Sequence, residues 1–110
     1  MTVSTHILDA MAGQPAAGVA VGLSMLAPDG SWLPIEAACT DADGRFRFAG
    51  PTPAGVYRLT FATGPYFAAR SVEAFYPEVA ITFTVEGDPP GHYHVPLLLS
   101  PYAYSTYRGS

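Results

Sequence analysis

His6, His92 and His94 are the three histidines of this chain, and their imidazoles titrate near neutral pH. Neutral imidazole takes a proton from water or ligates a metal. His92 and His94 are two apart, so in a strand both rings lie on one face. Three histidines suffice for a zinc site with an open position. No cysteine or carboxylate neighbours the His-x-His pair at ligand spacing, however, and both chemistries stay open on these residues. The basic residues are all arginines, permanent cations with forked, planar donors. Arg45 follows a tight turn. It reads either as a solvated hairpin residue, as its alternation with Arg47 suggests, or as a fixed cation for a carbonyl or oxyanion. The sequence closes on Tyr107, Arg108, Gly109 and Ser110. A phenol, a guanidinium, a flexible glycine, a hydroxyl and a terminal carboxylate together suggest a tail seated in a site, where a terminus is ordinarily frayed.

Composition narrows the classes. A chain of 110 residues that is 49% apolar predicts one folded domain over 1–110 with a single core. A net charge of −4 argues against a nucleic-acid partner, which needs a basic surface. No apolar run is long enough to span a bilayer, so no membrane partner is expected. Residues 1–20 lack a basic n-region and a long apolar h-region, which reads as no signal peptide. Cys39 stands alone, so no intrachain disulfide forms; this suits a reducing cytosol, and the expected location is cytoplasmic. Cys39 has no basic neighbour in sequence to activate it and is assigned to the core.

Short strands must position these residues. Eleven glycines and eleven prolines punctuate the chain at the spacing of turns. Val19, Val21, Leu23 and Met25 alternate with small or polar residues, as in a strand with one buried face. Asp29 and Gly30 mark a turn, and 32–40 reads as the return strand. Residues 41–44 form a second turn, followed by a short strand at 45–48. Asp41 and Asp43 look like the start of a calcium loop, but no glutamate follows at the required distance. Tyr57, Leu59 and Phe61 alternate again, as do Val79, Ile81, Phe83 and Val85. Residues 65–74 lack the alternation and can hold one short helix. The last two strands are expected at 92–100 and 103–107, after a break at 88–91. The fold class is all-β: a two-sheet β-sandwich of about seven to eight strands with one short helix. His6 falls in the first strand.

Taken together, several segments resemble the transthyretin-related family, and within it the 5-hydroxyisourate hydrolase branch. They are Thr5 to Asp9, Pro15 to Val19, the turn from Thr40 to Arg45, Pro53 to Tyr57, Tyr66 and Phe67. The resemblance closes with His92 to Pro101 and Tyr104 to Ser110. It covers nearly the whole chain, and the final run is the most specific part. The hormone-carrying transthyretins share the Leu-Ser-Pro-Tyr and Tyr-Ser-Thr elements but lack the Tyr-Arg-Gly-Ser ending and the histidine and arginine set.

The resemblance implies a transthyretin-like fold and hydrolysis of 5-hydroxyisourate to 2-oxo-4-hydroxy-4-carboxy-5-ureidoimidazoline in urate catabolism. It implies His6, Arg45, His94 and Ser110 as catalytic residues and Tyr107, Arg108 and Gly109 as substrate-binding ones, with no metal and no cofactor. It also implies a homotetramer with active sites at a dimer–dimer interface. In this scheme His6 and His94 share water activation and proton return, Ser110 orients one of them, and Arg45 meets the oxyanion. One departure from the family pattern is a shortened stretch between Arg45 and Pro53, which bears on the rim of the site. The alternatives are a transthyretin-like binder of a small aromatic ligand, a structural or adhesive sandwich, and a zinc hydrolase using His6, His92 and His94.

Overall fold

The computed structural model describes residues 2–49, 52–87 and 91–109. Ser110, the break at 88–90, and Gly50 and Pro51 of the shortened stretch lie outside the described residues.

Two sheets face each other. The first holds β1 (Thr2–Asp9), β2 (Gln14–Pro15), β5 (Arg45–Arg47), β8 (His92–Leu99) and β9 (Tyr104–Thr106); the second holds β3 (Ala20–Leu26), β4 (Trp32–Cys39), β6 (Gly55–Phe61) and β7 (Val79–Val85). One helix, α1 (Thr63–Ala68), joins β6 to the segment before β7. The all-β sandwich with one short helix is therefore as expected. Its helix starts earlier than the sequence suggests, because Thr63 and Gly64 already turn directly after β6. β2 was not foreseen: two residues leave no alternation to read.

Period-two patterning builds the core. β1 turns Val3, Thr5, Ile7 and Asp9 inward, and β8 turns in Tyr93, Val95, Leu97 and Leu99. From the other sheet Val21, Leu23, Tyr57, Leu59, Phe61, Val79 and Val85 meet them. Each apolar side chain among them contributes roughly 1.5–3 kcal/mol by leaving water. Asp9 is buried but satisfied: it accepts from Met11 N (3.0 Å), Ala12 N (2.9 Å) and the Tyr66 hydroxyl (2.8 Å). Burial and the bond to Asp9 push the Tyr66 phenol up to about 12, so it stays a donor and ties α1 to the end of β1.

Cys39 is exposed, not part of the core. The register explains it. Cys39 pairs with Ala20, whose side chain faces outward, while Ala38 pairs with the buried Val21. A one-residue offset decides the face.

The central fact for function is a parallel pairing of β1 with β8, in which Thr2 stands beside His92 and Ser4 beside His94. On its other edge β1 pairs antiparallel with β5, setting His6 opposite Arg45 and Ser4 opposite Arg47. The outer face of this sheet therefore gathers residues from three distant stretches of sequence.

The turn before β5 depends on one glycine. Gly44 has φ 73, and a Cβ there would lie 2.5 Å from the Ile7 carbonyl oxygen and 3.1 Å from Ala16 N. Gly44→Ala thus combines a left-handed backbone with a clash against β1. The expected loss is about 3 kcal/mol, read as a lower urea midpoint at unchanged m-value. Wild-type stability in that variant would contradict the placement of the turn.

Candidate active site

The outer face of the first sheet holds a cleft of about 410 Å³ lined by Ser4, Thr5, Asp41, Arg45, Phe46, Arg47, His92 and His94. That volume suits a small polar ligand. Each side chain arrives by a simple local cause. Asp41 closes the turn: its Oδ1 accepts from Asp43 N and Arg45 N, both at 2.9 Å. The acidic pair of the sequence is thus an Asx turn that aims Arg45, not a cation loop. Arg45 and Arg47 then share the outer face of β5, with Phe46 between them turned toward the core.

His94 is half-buried on β8, and its Nδ1 lies 2.8 Å from Ser4 Oγ. Ser4 Oγ also lies 2.7 Å from Nε2 of the exposed His92. His92 Nδ1 in turn meets the Thr2 hydroxyl. The two imidazoles stack with centroids 6.4 Å apart and planes 19° apart. His94 Nε2 has no hydrogen-bond partner among the described residues. His6 is half-buried on the same face, opposite Arg45 on one side and Pro96 on the other.

The C-terminal tail completes the surroundings of His94. Gly109 N donates to the His94 carbonyl oxygen at 2.8 Å, and the two residues form an isolated bridge. A Cβ on Gly109 would lie 2.5 Å from His94 Cδ2, so the glycine backbone rests on the edge of the ring. Tyr107 and Arg108 point elsewhere. They line a second cleft of about 250 Å³ with Ile81, Thr82, Phe83 and Thr84 of β7, and the Arg108 guanidinium sits 4.6 Å from the centre of the Tyr93 ring. His94 borders both clefts.

The structure therefore brings His6, Arg45, His94 and Gly109 together, while Tyr107 and Arg108 lie on the β7 side of His94. Ser110 lies outside the described residues. Thr2, Ser4, Arg47 and Asp41 belong to the surroundings of the site and were not singled out for it in the sequence. Alternation in β1 places Thr2, Ser4 and His6 on one face, which was the available signal; the pairing with β8 was not. Among the described residues no group of three His, Cys, Asp or Glu side chains is arranged to hold a metal ion.

Burial, followed by the charges of His92, Arg45 and His6, lowers the His94 imidazole from its ordinary value of 6.5. Burial, then Arg47, lowers His92. Both rings are thus neutral in the fold at pH 7. Below 6.5 the unfolded chain takes up protons that the fold resists, so this contribution to stability is present above 6.5 and declines as pH falls. Arg45→Gln removes a cation, so the His94 titration midpoint should rise toward 6.5 in an NMR titration. A fall, or no change, would mean that Arg45 does not face the ring.

A family model described as HIUase/Transthyretin family matches residues 3–109. The chain belongs to this family. A 5-hydroxyisourate hydrolase from Salmonella dublin is 45% identical over 111 residues, covering 98% of this chain and 80% of its own length. The Klebsiella pneumoniae 5-hydroxyisourate hydrolase structure superposes with a TM-score of 0.88 at 42% identity, covering 100% of both chains. Sea bream transthyretin in complex with thyroxine superposes with a TM-score of 0.93 at 34% identity, over 97% of this chain and 93% of its own. The backbone fits the thyroxine-bound protein slightly better, whereas the sequence favours the hydrolase. Backbone shape is common to both, so activity must be read from side chains.

No helix among the described residues is long and apolar enough to cross a membrane.

Proposed function

We propose that this protein hydrolyses 5-hydroxyisourate to 2-oxo-4-hydroxy-4-carboxy-5-ureidoimidazoline, with His94 and Arg45 at the reacting centre. The observation that carries this reading is His94 itself: burial and neighbouring charge lower its imidazole below 6.5, Ser4 Oγ stands 2.8 Å from its Nδ1, and it lines one cleft with Arg45. The hydrolase relatives at 42% and 45% identity support it.

The reaction adds water to a lactam carbonyl and breaks the adjacent C–N bond. A neutral imidazole takes the proton of the attacking water. The Arg45 cation meets the oxyanion of the tetrahedral intermediate. The proton returns to the leaving nitrogen from His94 or from His6, which stands opposite Arg45. Gly109 keeps the His94 ring in place, and Ser110 orients one of the histidines. Arg108 and Tyr107 shape the neighbouring wall and bind substrate. No step calls for a metal or cofactor.

In this reading the active form is a homotetramer, with the outer face of the first sheet covered by another copy. Support comes from Leu8 and Leu98, paired neighbours on that face and both more than a third exposed. A cover over these residues removes apolar surface from water.

Binding of a small aromatic ligand without chemistry is the second reading, favoured by the fit to thyroxine-bound transthyretin. Mass spectrometry of 5-hydroxyisourate incubated with trace protein in isotopically heavy water separates the two. Hydrolysis gives a product heavier by one water, with the label in its new carboxylate, faster than without protein. Loss of substrate at the same rate as without protein would leave the binding reading standing.

A further inference from the structure

Resting on the reading of His94 as the base, we infer that Ser4 and His92 form a proton wire beside it, along the wall of the same cleft, leading from His94 Nδ1 to the exposed ring of His92. Ser4 Oγ is within hydrogen-bond distance of both rings, 2.8 Å from His94 Nδ1 and 2.7 Å from His92 Nε2. A hydroxyl has one proton to donate and lone pairs to accept. When it accepts from one imidazole while donating to the other, the chain is continuous and has two consistent directions.

In the first direction His94 Nδ1–H donates to Ser4, Ser4 donates to His92 Nε2, and His92 Nδ1–H donates to the Thr2 hydroxyl. His94 Nε2 then carries a lone pair and is a base. In the second direction every bond is reversed, and His94 Nε2 carries a proton and is an acid. Passing from one to the other balances. Water's proton arrives at His94 Nε2 and the Nδ1 proton moves to Ser4 Oγ. The Ser4 proton then moves to His92 Nε2, and the His92 Nδ1 proton leaves toward Thr2 and solvent. When Nε2–H is given to the leaving nitrogen, the wire runs backward and returns a proton to Nδ1. No electron transfer is involved.

The surroundings give the wire a purpose. The groups facing the two rings are His6 on β1, Arg45 and Arg47 on β5, and Asp41 in the turn before β5. Arg45 and the neighbouring histidines oppose a lasting positive charge on His94. A base that releases its second proton as it accepts the first never has to hold that charge. The location suits the role as well: Ser4, His92 and His94 line one cleft, and His94 is half-buried while His92 is exposed, so the wire runs along the cleft wall from the buried ring to the open one. Parallel register enforces it, since Thr2 and Ser4 stand beside His92 and His94 in turn.

Ser4 acts through His94 and is a positioning residue. Ser4→Ala should lower kcat about ten- to a hundredfold with KM little changed. Ser4→Thr keeps the hydroxyl and should restore most of the loss. His92→Gln keeps a hydrogen-bonding group that does not titrate, and its kcat should become dependent on imidazole buffer concentration. In wild type a plot of kcat against deuterium fraction should bow, as expected for several protons in flight, and it should straighten in Ser4→Ala. Nitrogen NMR of the histidine rings reads the wire without turnover. His94 and His92 should exchange tautomers together in wild type and independently in Ser4→Ala. Wild-type kcat in Ser4→Ala, or a loss that threonine does not repair, would overturn the wire. Independent tautomers in wild type would do the same even if hydrolysis proceeds, while a wild-type protein that fails to hydrolyse substrate overturns the function reading instead.

Discussion

Replacing His94 by Asn lowers kcat by about a hundred- to ten-thousandfold, the range lost with a positioned general acid–base group. Asparagine retains comparable size and can still reach the Ser4 hydroxyl, but its amide neither takes a proton from water nor returns one. The fold should survive. Backbone contacts that the substitution leaves in place tie β8 to its neighbours at this point: the pairing with Ser4 on β1 and the donation from Gly109 N to the His94 carbonyl oxygen. Thermal unfolding and the oligomeric state are therefore expected to match wild type while turnover collapses. Steady-state kinetics on 5-hydroxyisourate would show it, and a variant that turns over normally would remove His94 from the mechanism.

Gly109→Ala is the second large effect. Its Cβ would sit 2.5 Å from His94 Cδ2, 3.2 Å from Cγ and 3.3 Å from Cβ. Something must shift, and both available shifts damage the site. If the tail lifts, the 2.8 Å bond from Gly109 N to His94 O is lost. If the ring rotates, Nδ1 leaves Ser4 Oγ, now 2.8 Å away. Misplacement of a reacting group by about an ångström costs on the order of a hundredfold in rate. Stability should change little, because Gly109 lies at the surface and only half-buried. A large loss of kcat at near-constant melting temperature is the expected signature. Full activity would show that the tail does not bear on the ring.

These two residues also show how much the sequence discloses. The strands around Val21, Leu59 and Ile81 are legible because each buries one face and exposes the other. Arg45 is legible because Asp41 and Gly44 announce a turn directly before it. His94 stands out through its His-x-His spacing, which correctly put both rings on one face. Pairing between distant strands is not legible in this way. Nothing near Ser4 says that it lies beside His94, ninety residues away, and so the hydroxyl beside that ring was missed. Cys39 fails for the related reason that a one-residue offset against Ala20 sets its face. The tail is an intermediate case. Its composition suggested a site, and Gly109 does meet His94, but Tyr107 and Arg108 border the β7 cleft. Fold alone also does not select the chemistry, since a thyroxine-bound transthyretin superposes at 0.93 and a hydrolase at 0.88.

The most direct measurement generates 5-hydroxyisourate from urate with urate oxidase and follows its ultraviolet absorbance with trace amounts of this protein. Decay faster than the spontaneous rate is expected, proportional to protein concentration and continuing for many equivalents of substrate. Decay at the spontaneous rate from folded, correctly assembled protein would contradict the hydrolase reading and leave a ligand-binding member of the family in its place.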